Sequence, residues 1–137
     1  MWIGGYWNEN GWHWSDGTPW HYRSWIPGEP NNPNQKCVTI FLRNNTRWDD
    51  ESCRWSRSFF CQLGELIENN FCRHKTELFF QLVPDLQCPP GWFPYADSCY
   101  QISLNKLSWE RARTACESLE VKISFKYRSF YIKKRSF

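Results

Sequence analysis

Seven cysteines, Cys37, Cys53, Cys61, Cys72, Cys88, Cys99 and Cys116, constrain this 137-residue chain more than any other feature. That density is high for a reducing cytosol. Its scattered spacing reads as a disulfide framework in a secreted or cell-surface protein. No two stand as a Cys-x-x-Cys pair, which argues against a zinc ribbon or a thioredoxin-type redox site. An odd count leaves at least one thiol unpaired within the chain. Aromatics make up 19% of the residues and ten are Trp. That is far from the composition of a disordered chain, so a packed core accompanies the cross-links. The length fits one domain.

The net charge of +3 hides an uneven distribution. Residues 122–137 hold six basic residues and no acid, whereas residues 1–121 hold eleven basic and fourteen acidic residues. The body is mildly acidic and the basic character sits in a tail. A basic tail can touch nucleic acid or anionic lipid. This one carries no recognised binding motif and reads as a solvated end. Met1 is followed at once by WIGGYW, without the basic and apolar regions of an export signal. No apolar run approaches the ~18–20 residues of a membrane span. Disulfides without an export signal imply an internal piece of a longer extracellular protein.

Three regions differ in texture. Residues 1–63 are dense in Trp, Gly, Pro and Asn, with short apolar runs at 37–42 and 59–63 that read as strands between turns. Residues 64–87 read as a linker, with LFFQLV at 78–83 either a strand or part of that linker. Residues 88–121 open on CPPGWFPYADSCY, an aromatic turn bracketed by Cys88 and Cys99. A helical stretch follows, with Ser108 as N-cap and Trp109, Ala112, Cys116 and Leu119 on one apolar face.

Taken in order, WIGG (2–5), WHWSDGTP (12–19), Tyr22, Trp25, GEPNN (28–32), CV (37–38), WDD with Cys53 beyond it (48–53) and FFC (59–61) resemble the second half of a C-type lectin-like domain. The segments CPPGWFPYADSCY and SWERARTACESLE resemble the opening hairpin and first helix of the same kind of domain. The resemblance implies an α+β fold, present as the end of one domain, a linker, and the beginning of the next. A cut through two tandem domains produces that order. So does circular permutation of one domain, although residues 121–137 do not supply the missing second helix and strand. The family's pairing implies Cys37–Cys53 and Cys88–Cys99. In a permuted fold Cys61 and Cys116 would bond to each other, and Cys72 stays unpaired.

The same resemblance implies a Ca²⁺ site that holds sugar. Ca²⁺ takes six to eight oxygen ligands from carboxylates, amide carbonyls, backbone and water. Glu29 and Asn31 correspond to the family's acid and amide on either side of a cis proline. The family expects a glutamate where Gln35 stands and Asn-Asp where Asp49-Asp50 stand. An acid is lost at one ligand position and gained at another. Glu29, Asn31, Gln35, Asp49 and Asp50 therefore form the expected metal shell. Glu29, Asn31, Gln35 and Asp49 also contact sugar, with Gln35 and Asp49 exchanging acid and amide roles. Each sugar hydroxyl on the ion also needs an amide donor and a carboxylate acceptor. The Glu-Pro-Asn order implies mannose, N-acetylglucosamine or fucose rather than galactose. A second calcium site is not expected, because Asn32 and Lys36 fall where acids belong and a lysine repels a cation.

Trp2, Trp14 and Trp48 match family core positions, and Trp12 and Trp25 also read as core. Trp20 and His21 lie near the binding loops. His13, His21 and His74 lack zinc-site spacing, and Asn44 opens a glycosylation sequon. No GxSxG, P-loop or GxGxxG pattern appears. Adjacent carboxylates such as Asp49 and Asp50 make a poor glycosidase pair. No enzyme is expected. The function implied is calcium-dependent glycan binding. The alternatives are a calcium-independent protein-binding module of the same fold or a gene fragment that does not fold alone.

Overall fold

A computed structural model describes residues 1–42, 46–63, 88–95 and 98–124. The expectations for Asn44, Cys72, His74, the linker at 64–87 and the tail beyond residue 124 lie outside the described residues. The strand WIGGYWN, β1 (Trp2–Asn8), is buried over its first four residues. Side chains of a strand alternate between faces, so Trp2 enters one core cluster and Ile3 the other. β1 turns back at once into β2 (Gly11–Trp14). Gly4 and Gly5 follow from crowding on both sides. A Cβ at Gly4 would strike the Ile123 carbonyl oxygen, and one at Gly5 would lie 2.6 Å from Val38 Cγ2.

β3 (Cys37–Phe41) and β4 (Arg47–Glu51) form an antiparallel hairpin beside β1, in register Ile40 to Trp48 and Val38 to Asp50. β5 (Arg57–Leu63) alternates Phe59, Phe60 and Cys61 between the two clusters. From the second region come β6 (Phe93–Tyr95), β7 (Ser98–Leu107), α1 (Trp109–Glu117) and β8 (Lys122–Ile123). One mixed sheet results, in the order β4-β3-β1-β5-β7-β6, with β2 on β1 and β8 on β5. With α1 packed against it, the architecture is α+β, consistent with the C-type lectin fold.

The regions read from sequence as pieces of two successive domains thus share one sheet, because β7 supplies the antiparallel neighbour of β5. The joint is satisfied on both sides. Trp2 Nε1 donates to Leu107 O at 2.8 Å, and Trp109 Nε1 donates to Ile3 O at 2.9 Å. Disulfides join Cys37 to Cys53, Cys88 to Cys99, and Cys61 to Cys116.

Two boundaries differ from expectation. α1 buries Trp109, Ala112 and Cys116 but ends at Glu117. Leu119 lies outside it and is exposed, because Glu120 takes a φ of 59° and the chain reverses. Val121, whose N–H reaches Cys116 O at 3.2 Å, fills the core position instead. The region assigned to a basic tail also starts in the core. Ile123 is fully buried, and its carbonyl accepts the Ser15 hydroxyl at 2.9 Å.

Candidate functional site

β4 brings three acids in a row, and the structure sends them to two places. Trp48, fully buried among Trp14, Trp20 and Trp25, anchors the strand. Glu51 is buried and paired with Arg57 at 2.8 Å. Asp49 and Asp50 turn to the loop that carries Glu29-Pro30-Asn31. This loop begins at Gly28, whose φ of 94° is the left-handed conformation that glycine accepts. The Glu29–Pro30 peptide bond is cis.

Asp50 clamps the loop to the strand. Its carboxylate accepts the backbone N–H of Asn31 at 3.1 Å and of Asn32 at 3.3 Å. Asn31 Nδ2 donates to Glu29 Oε1 at 2.8 Å. That bond uses the amide nitrogen and leaves the Asn31 amide oxygen available as a ligand. Glu29 Oε2 is shielded from solvent and has no hydrogen-bond partner. One carboxylate oxygen from each of Glu29, Asp49 and Asp50 falls within 4.8 Å of the others.

Such crowding opposes ionisation. Burial, the close approach of the Asp50 side chain and the charges of Asp49 and Asp50 push the Glu29 carboxyl above its ordinary range. Burial and the charges of Asp50 and Glu51 do the same for Asp49. Like charges raise a carboxyl pKa, and a bound cation removes that penalty. The orphaned Glu29 oxygen, the free amide oxygen of Asn31 and the two aspartates fit the oxygen chemistry of Ca²⁺.

The expected shell is brought together unevenly. Glu29, Asn31, Asp49 and Asp50 converge. Gln35 lies on the flank, in a groove of about 330 Å³ shared with Pro30 and Asn31. Among the described residues no hydrogen bond joins Gln35 to Asp49. Asn32 is used inside the loop, its Oδ1 accepting the Asn34 N–H at 3.0 Å. Trp20 lines a larger groove of about 600 Å³ beside Glu29, together with Trp7, Trp12, Trp25 and Arg23, while His21 is exposed. The family pattern does not single out Trp7. The Asn8-Glu9-Asn10-Gly11 turn could have found it, because a tight hairpin there sets Trp7 opposite Trp12.

Residues 1–63 match the model of the family described as "Lectin C-type domain". The human C-type mannose receptor 2 is 27% identical over 107 residues, covering 77% of this chain and 7% of the receptor. The human secretory phospholipase A2 receptor is 26% identical over 116 residues, covering 79% of this chain and 7% of that protein. The C-type lectin lectoxin-Lio1 of Erythrolamprus poecilogyrus is 43% identical over 54 residues, covering 37% of this chain and 33% of the lectoxin. The chain therefore spans a small share of the two receptors, and both of those matches run past residue 63. No solved structure gave a significant match. No described helix is long and apolar enough to cross a membrane. Residues 1–63 are thus similar to the C-type lectin-like domain family.

Proposed function

We propose that this chain binds glycans through a calcium ion held by Glu29, Asn31, Gln35, Asp49 and Asp50, as part of an extracellular lectin. The observation that carries the reading is the approach of three carboxylates within 4.8 Å, one of them with an unpartnered, shielded oxygen. When bound, Ca²⁺ supplies direct coordination to two neighbouring sugar hydroxyls. The residues orient the rest. Asp50 fixes the loop through the Asn31 and Asn32 amides. Glu29 and Asp49 accept hydrogen bonds from the sugar hydroxyls, and Asn31 and Gln35 donate N–H hydrogen bonds to them. No reaction is assigned to the site. The working unit of this reading is one body made of residues 1–63 and 88–124. Asn44 is proposed as a glycosylated position.

Calorimetric titration with methyl mannoside, N-acetylglucosamine, fucose and galactose tests the reading. Binding of the first three in calcium, and of none in chelator, is expected. Equal preference for galactose contradicts the assignment of Glu29-Pro30-Asn31 to mannose-type sugars. A second reading, recognition of protein without calcium, draws on one observation. Asp50 already has two backbone partners without an ion. Binding of a protein partner unchanged by chelator, with no sugar bound, would favour it.

A further inference from the structure

The two grooves beside the Glu29-Pro30-Asn31 loop share a wall made by Trp7, Trp12 and Pro30. Trp7 and Trp12 face each other across the β1–β2 hairpin, with ring centroids 5.5 Å apart at 76°. Trp12 is braced from behind by Trp25 at 4.9 Å and Trp20 at 5.9 Å. Trp7 is thus held on a rigid base yet remains 42% exposed. The wall runs from Glu29 in the larger groove to Asn31 and Gln35 in the smaller. The aromatic surface is therefore continuous with the candidate ion site.

Arg23 lines the larger groove. Among the described residues it makes no ion pair or hydrogen bond, although a guanidinium offers five N–H donors. A groove of about 600 Å³ with aromatic walls and one unpartnered cation lies within the size range of ligand sites. A pyranose turns a face of C–H groups toward such a wall, and the negative face of an indole attracts them. The cation fits an anionic substituent through charge-assisted hydrogen bonds.

We infer that the Trp7–Trp12 groove is a second saccharide subsite. The ring next to the calcium-held sugar stacks on Trp7, and Arg23 pairs with a sulfate or carboxylate on that part of the glycan. The inference rests on the calcium-glycan reading above. Titration calorimetry in calcium with methyl mannoside, a neutral mannotriose, and mannotriose bearing either a sulfate or a uronic acid tests it. Mannotriose is expected to bind about tenfold more tightly than the monosaccharide, a step equal to ~1.4 kcal/mol. The anionic forms bind more tightly still, and whichever gains more identifies the substituent. In Trp7→Ala the trisaccharide-to-monosaccharide ratio falls toward unity, and in Trp7→Phe most of it returns. In Arg23→Gln only the preference for the anionic forms disappears. An unchanged ratio in Trp7→Ala, or equal binding of mono- and trisaccharide by the unaltered protein, overturns the subsite and leaves the calcium reading standing. No preference for either anionic form overturns the role of Arg23. Failure of even methyl mannoside to bind overturns both readings.

Discussion

Asp50 joins the loop to the strand, and its charge belongs to the candidate ion shell. Replacing it with alanine strips two backbone N–H groups of their acceptor. Losing a hydrogen bond to a charged acceptor costs roughly 1.5–3 kcal/mol. Asp50→Ala is therefore expected to lower the thermal midpoint and abolish any calcium-induced shift. A melt with and without calcium checks both. Gln35 is the more diagnostic position, because it lies on the flank of the cluster and carries an amide where the family has an acid. Gln35→Ala is expected to weaken calcium-dependent sugar binding. Full retention of sugar in that variant would remove Gln35 from the site.

Protonation gives a second test at this scale. Glu29 and Asp49 hold protons above the ordinary carboxylate range when no cation is present. A carboxyl whose folded pKa is raised adds stability below its unfolded value and loses it as pH rises through the folded value. In chelator, stability therefore falls as pH climbs out of the carboxylate range. Calcium offsets that loss where the groups are ionised. The calcium-induced shift in melting temperature is expected to grow from acid pH to neutrality. A shift independent of pH would place the ion elsewhere.

Among the elements, β1 carries the closest packing. At Gly4 a methyl group would meet the Ile123 carbonyl and lie 2.7 Å from Ser15 Oγ. Gly4→Ala is expected to cost about 1–3 kcal/mol, in line with overpacking elsewhere, and chemical denaturation measures it. Much of the element pattern was legible in sequence. The run at 37–42 contains β3, the run at 59–63 covers all of β5 but Arg57 and Ser58, and the spacing of Trp109, Ala112 and Cys116 marks the buried face of α1. The candidate ligands Glu29, Asn31, Asp49 and Asp50 were legible through the resemblance to the family. What local pattern could not show was tertiary. Leu119 continues the helical period, but the reversal at Glu120 takes it out of the helix. Trp7 gains meaning only opposite Trp12, and Glu51 leaves the acidic cluster only because Arg57 is there to pair with it.

For the whole molecule, the decisive relation is between residues 1–63 and 88–124. They share a sheet, exchange indole hydrogen bonds and are tied by Cys61–Cys116, 55 residues apart in sequence. A body built this way melts as one unit. Replacing Cys61 and Cys116 together with serine is expected to cost about 2–5 kcal/mol while leaving one transition by circular dichroism. Two separate transitions would mean that the two regions fold independently.

The proposed role of this body is to hold sugar through a calcium ion on the Glu29 and Asn31 loop. Retention of the folded protein on mannose-agarose, with and without a calcium chelator, tests it most directly. Retention in calcium and release by the chelator are expected. A protein that melts cooperatively yet passes through the column in calcium would contradict it.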